Sequence, residues 1–174
     1  MKGINLIPYG LKVDRIVYVK DVENGYACGC ICPKCGQPLN ARNGGESNTP
    51  HFAHQSGKNC EGAYEETKHR LAIQIIHDEK CVMLPSYKEV VDQERVHFKD
   101  LIQEARTLCD GIIPDIVGIR DDNTRICIEI RYTHAVDEDK LSKIKSHKLN
   151  CLEIDIRNHQ LAEKELRELL IEST

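Results

Sequence analysis

Residues 26–59 constrain this chain more than any other stretch, because they are full of Gly, Pro, Asn and Ser and show little apolar periodicity. A segment of that kind cannot bury enough surface to offset the entropy of ordering it. Yet ACGCICPKCG, at its start, places Cys28, Cys30, Cys32 and Cys35 within eight positions, and PHFAH follows with His51 and His54. Something other than a hydrophobic core is expected to hold it together. Disulfides, a redox pair or a metal ion are the three chemistries available.

Disulfides fit poorly. The nine cysteines are odd in number, and the N-terminus MKGINLIPYGLKVDR lacks the long apolar core of a secretory signal. Cys81, Cys109, Cys127 and Cys151 sit singly among apolar residues, as reduced, buried thiols do. A redox Cys-x2-Cys wants a helix N-terminus after it, whereas QPLNARNGG follows here. Zinc remains. Cys32-Pro-Lys-Cys35-Gly has the spacing of a zinc knuckle, with Gly36 relieving the backbone after the second thiolate. Cys32-x2-Cys35-x15-His51-x2-His54 then matches the arithmetic of a Cys2His2 ribbon. His51 and Cys60 compete for the last position, and spacing favours His51. Phe52 is expected as an apolar plug beneath the ion, and Cys28 and Cys30 as small packing residues alternating along a strand. Such a zinc site is structural.

At 174 residues with 40% hydrophobic content, the chain suits a compact domain with a small appendage. The boundaries read as 1–59 for an N-terminal strand and ribbon, and 60–174 for the main domain. No apolar run approaches the roughly 20 residues of a membrane span, so a cytoplasmic protein is expected. The net charge of −4 and pI of about 6.1 exclude the globally basic signature of a nucleic-acid binder. Any such binding needs a local patch or bridging cations.

Arg15 to Val22 reads as a strand, and Glu61 to His77 as a helix with Leu71, Ala72, Ile75 and Ile76 on its apolar face. Residues 81–108 are ambiguous between strand and helix. Ile112–Ile119 and Arg125–Thr133 flank the polar turn RDDNT and predict a β-hairpin. A helix over Asp137–Lys148, a strand at NCLEIDI and a helix over His159–Ile171 complete an α/β order.

The hairpin carries the chemistry. Taking Asp122 as its centre puts Asp115 opposite Glu129, and alternation puts Glu129 and Arg131 on one face with Ile126, Ile128 and Ile130 on the other. Facing carboxylates repel unless a cation sits between them. With a backbone carbonyl, that of Ile130 being the candidate, they make a partial shell for Mg²⁺. An ion held there suits phosphodiester hydrolysis. Glu65 and His69, spaced i, i+4 on the preceding helix, add a further acid that such a helix could aim at the ion. The competing reading is a solvated, charged strand face.

CPKCG, HFAH, EETKHRLAIQII, the Pro114-Asp115 pair, IEIRYTHAV and LEIDI stand in one order between Tyr26 and Ile156. In these the chain resembles the CoiA-like competence family, whose members join an N-terminal zinc ribbon to a PD-(D/E)xK nuclease core. The resemblance implies a restriction-endonuclease-like α+β mixed sheet and DNA as substrate. It also implies that Asp115 and Glu129 are ligands of catalytic Mg²⁺ or Mn²⁺, and Glu65 an additional acid. Arg131 stands at the lysine of the triplet; its guanidinium stays protonated and steers charge. Lys140 on the next helix is the candidate for a displaced lysine. Lys140, Lys143, Lys145, His147 and Lys148, with Arg120, Arg125 and Arg131, are the local basic supply, most of it read as a solvated helical face. A homodimer fits a nuclease of this type that cuts two strands. The alternative is a non-catalytic DNA- or protein-binding module on the same scaffold.

Overall fold

The computed structural model describes residues 6–45, 49–57, 60–86, 93–103, 112–132 and 138–172. The chain forms two compact units, Met1–Leu71 and Ala72–Thr174.

The first unit opens with a hairpin of β1 (Tyr9–Lys12) and β2 (Arg15–Tyr18), in which the rings of Tyr9 and Tyr18 lie 5.2 Å apart. Its turn residues Val13 and Asp14 both have positive φ, 45° and 63°, the handedness that matches strand twist in a two-residue loop. The strand expected through Val22 stops at Tyr18. Val19–Asp21 is a 3-10 turn that drops Val19 into a fully buried position. Tyr26–Cys28 is likewise a 3-10 turn rather than part of a strand, closed by Gly29 at φ 64°. Then β3 (Leu39–Arg42) and β4 (His51–His54) pair antiparallel, with Ala41 opposite Phe52.

Against the expectation from composition, this segment does have a small core. Val19, Cys28, Cys30, Cys32, Leu39, Ala41, Phe52 and Ala63 form one buried cluster. Three of its members are cysteines, which pack as small apolar side chains. The Cys28 thiol also donates to the Leu39 carbonyl at 3.3 Å. Composition conceals this core because thiols do the work usually assigned to aliphatic residues. Helix α1 (Ala63–Glu79) follows, with Leu71, Ala72, Ile75 and Ile76 buried at the anticipated spacing. Lys80, at φ 51°, ends it in a left-handed cap whose N–H donates to the Ile76 carbonyl at 2.8 Å.

In the second unit the ambiguous region resolves as strands: β5 (Cys81–Leu84) pairs antiparallel with β6 (Glu94–His97), and β7 (Asp100–Gln103) joins the main sheet. That sheet contains β8 (Ile116–Ile119), β9 (Arg125–Arg131) and β10 (Cys151–Asp155) in the spatial order β10-β9-β8-β7. β9 and β10 run parallel, the other pairs antiparallel. Parallel neighbours need a crossover, here containing α2 (Glu138–Ser146). Helix α3 (Glu163–Ile171) buries Leu166, Leu170 and Ile171. The hairpin register holds as anticipated, with Ile116 opposite Ile128 and Val117 opposite Cys127.

One expectation for β9 fails. Only Ile126, Ile128 and Ile130 were to face a core, yet Cys127 and Glu129 are buried as well. β9 is an internal strand with both faces covered. Cys127 packs with Ile112 and Val117, and Ile144 and Leu149 from the crossover lie against that cluster. Thr133, His134 and Cys109 fall outside the described residues.

Gly118 in β8 is a fixed point of this sheet. A Cβ there would come within 2.4 Å of the Phe98 ring, which overlies the backbone. Gly118→Ala is therefore expected to cost about 1–3 kcal/mol through overpacking. Urea denaturation checks it, and an unchanged midpoint would mean that Phe98 simply moves aside.

Candidate metal centre and strand carboxylates

The ribbon loop after Cys30 is pinned by one reciprocal backbone pair and two further backbone bonds. Leu11 and Ile31 exchange hydrogen bonds at 3.0 and 2.8 Å, and the Cys32 and Leu39 amides donate to Gln37 and Cys30. The turn between Cys32 and Cys35 closes with Gly36, at φ 70°, donating to the Cys32 carbonyl at 2.9 Å. Both thiols thus face the same point. Cys32, Cys35, His54 and Cys60 each offer one ligand atom there, and those atoms all lie within 4.8 Å of one another. Cys35 Sγ is 3.4 Å from His54 Nε2. Zn–S bonds of about 2.3 Å in a tetrahedron put ligand atoms roughly 3.7 Å apart, so the donor set and its spacing fit zinc.

The fourth ligand corrects the sequence reading, which favoured His51 over Cys60. β4 is a strand, so His51 and His54, three residues apart, project from opposite faces. His54 shares its face with buried Phe52, while His51 Nδ1 meets the Thr49 carbonyl at 2.8 Å. The two-residue gap suited a turn, and the chain makes a strand. Cys60, just before α1, takes the position instead. Phe52 shares the buried cluster with Cys32, and Cys28 and Cys30 pack there without joining the metal ligands.

Thiol electrostatics argue for a cation. Burial, then the neighbouring Cys35 and Cys32, push the Cys60 thiol up to about 12. Burial and Cys28 raise Cys30 to about 11. Burial also works against Cys35 ionising, but hydrogen bonds from the Gln37 amide and the adjacent thiols outweigh it and lower that thiol. Burial thus works against ionising these thiols together. All eight described cysteines are free thiols.

The second cluster lies on one face of the main sheet. The Asp115 Oδ2 accepts from the Ile130 amide at 2.8 Å, which ties the residue before β8 to β9. Glu129 pairs across the parallel ladder with Glu153, and Arg131 with Asp155. Asp115, Glu129 and Glu153 are therefore neighbours on adjoining segments of the sheet, while among the described residues the one group of ligand atoms close enough to share an ion is that of Cys32, Cys35, His54 and Cys60. Lys140, from α2, places Nζ 2.6 Å from Glu129 Oε1 and 3.2 Å from the Ile113 carbonyl. Lys140, the displaced-lysine candidate, therefore lies beside Glu129. Burial raises the Glu129 carboxyl, Lys140 opposes that rise, and Asp115 and Glu153 add to it. Because the folded value lies above the unfolded one, this group's contribution to stability falls as pH rises through it.

Arg131 is differently engaged. Its Nη1 is 3.6 Å from Glu153 and 3.7 Å from Asp155. Asp155 in turn holds Arg157 at 2.6 Å, and that guanidinium keeps the Asp155 carboxyl well below the usual range. Glu153 and Asp155 escaped the sequence reading. Their alternation in LEIDI was visible, but only the parallel pairing of β10 with β9 sets them beside Glu129 and Arg131. Of Ile130, the amide rather than the carbonyl is the group seen meeting a carboxylate. Glu65 occupies the first turn of α1, half-buried, in the first unit.

No helix among the described residues is long and apolar enough to cross a membrane. No curated protein and no solved structure matches the chain. Residues 20–63 match the family model described as competence protein CoiA, N-terminal domain.

Cys60→Ser is expected to lower zinc affinity by at least about tenfold and His51→Ala to leave it unchanged, as read by competition with a chromogenic chelator; the reverse ranking would return His51 to the site. The matched span contains all four clustered ligands, and over residues 20–63 the chain is similar to the N-terminal domain of competence protein CoiA.

Proposed function

We propose that the chain is a metal-dependent DNA nuclease of the CoiA-like type, its second unit a PD-(D/E)xK core and its ribbon ordered by structural zinc. The observation that carries this reading is the neighbouring Asp115, Glu129 and Glu153 with a lysine ammonium already at the buried member. Carboxylates on neighbouring strand positions repel one another unless a cation lies between them.

Mg²⁺ or Mn²⁺, when bound, polarises a phosphate oxygen and lowers the pKa of a coordinated water. Asp115 and Glu129 are the residues that would hold the ion, with the Ile130 carbonyl as a further oxygen. The Ile130 amide fixes the Asp115 carboxylate, so that this ligand is set by the sheet rather than by a mobile side chain. Lys140 supplies the positive charge that Arg131, bound between Glu153 and Asp155, is poorly placed to provide. Its ammonium can orient water or neutralise phosphate charge beside Glu129. The reading extends to DNA processing, recombination or defence in the cytoplasm, and to a dimer for paired cuts.

The test is cleavage of DNA with Mg²⁺ or Mn²⁺. Asp115→Ala is expected to lower the rate at least about 100-fold, and Lys140→Met about 10–100-fold, as for loss of one electrostatic or proton-transfer group. Equal cleavage by wild type and Asp115→Ala would assign the activity elsewhere. Arg131's engagement by two carboxylates favours a second reading, a non-catalytic binding module. It requires DNA binding that survives replacement of both Asp115 and Glu129, with no cleavage by the wild type.

A further inference from the structure

Helix α2 is unusual among the α-helices of the described residues in burying no residue completely. Ile144 alone of its apolar residues lies against the cluster of Ile112, Val117 and Cys127, and Leu141 is 42% exposed. The helix is held at its end instead. Leu149 donates its N–H to the Ile144 carbonyl at 3.0 Å, and both side chains rest on that cluster. This is a Schellman closure with its accompanying apolar contact.

The residue in the left-handed position of that closure is Lys148, at φ 52°. Glycine is the residue that takes this conformation without steric cost. Lys80 closes α1 in the same conformation, so lysine serves as the left-handed cap at both helix ends. Lys143, Lys145 and Lys148 are all exposed, and among the described residues none of them has an ion-pair partner. By contrast Lys164, on α3, is 91% exposed yet pairs with Glu168 at 3.8 Å. Lys140, on the same helix as Lys143, anchors the other end at Glu129.

From this arrangement we propose that Lys143, Lys145 and Lys148 form a contact surface for the sugar-phosphate backbone of a nucleic acid, leading to the strand carboxylates. The inference rests on the nuclease reading for what happens at those carboxylates, and on the helix alone for the binding. It reconciles an acidic protein with a polyanionic ligand, because the cations are concentrated on one short element. The competing account is that these lysines merely complement the negative end of the helix.

The two accounts part in a binding experiment. Zinc-loaded full-length protein, without added Mg²⁺ or Mn²⁺, is titrated against fluorescein-labelled single-stranded and duplex DNA at several salt concentrations. The triple variant Lys143→Gln/Lys145→Gln/Lys148→Gln is expected to bind at least about tenfold more weakly. Its log–log salt dependence should be shallower by about 2–3, since each lost phosphate contact removes roughly 0.7–0.9. Lys148→Gly should weaken binding and flatten the slope by about one contact while its Tm stays equal or rises. Lys164→Gln should change neither affinity nor slope. A triple variant with wild-type affinity and slope overturns the proposal, as does a Tm loss without an affinity loss, or a wild type that binds neither DNA. Asp115→Asn separates the two readings. If it binds as wild type but does not cleave, the nuclease reading stands whatever the lysines do. If it cleaves as wild type while the lysine variants bind weakly, the backbone surface stands and the catalytic assignment falls.

Discussion

Groups of one charge held together away from water need an opposite charge among them, and this constraint organises both units. Two unit charges about 4 Å apart interact by roughly 4 kcal/mol even at an effective dielectric near 20, which is large beside the net stability of a domain. In the ribbon, burial and the neighbouring thiols work against ionising Cys60 and Cys32. In the sheet, burial and two neighbouring acids raise Glu129. The ribbon's donor set answers the constraint by fitting zinc. The sheet answers it with Lys140 at Glu129 and Arg131 between Glu153 and Asp155.

β9 is where packing and chemistry meet. Its internal place in the sheet buries Ile126, Ile128 and Ile130 and removes Cys127 and Glu129 from solvent too. Its edges recruit an acid from each side: Asp115 through the Ile130 amide, Glu153 through the parallel ladder. The close approach of Phe98 over Gly118 fixes the neighbouring strand. A carboxylate in such a frame cannot swing out into water to relieve repulsion. That rigidity suits a site whose ligands must be preorganised.

The functional proposals divide along the same physics. Asp115 and Glu129 are suited to a hard cation, Lys140 to charge beside them, and the exposed lysines beyond Ile144 to a polyanion. The ribbon's role is distinct, since Cys32, Cys35, His54 and Cys60 are joined to a small core that includes Cys28 and Cys30.

The sequence by itself determined whatever depends on local spacing. The knuckle at Cys32 and Cys35, the buried face of α1, and the hairpin register that sets Asp115 against Glu129 all follow from periods of two, three or four residues. Only the tertiary structure decided what depends on which face a strand presents and which strand lies beside it. Strand alternation at β4 removed His51 and left the place to Cys60, just before α1. The parallel pairing of β10 with β9 brought Glu153 to Glu129 and occupied Arg131, while α2 carried Lys140 to the same acid. Such contacts join residues far apart in sequence, so no local pattern encodes them; packing alone selects the partner.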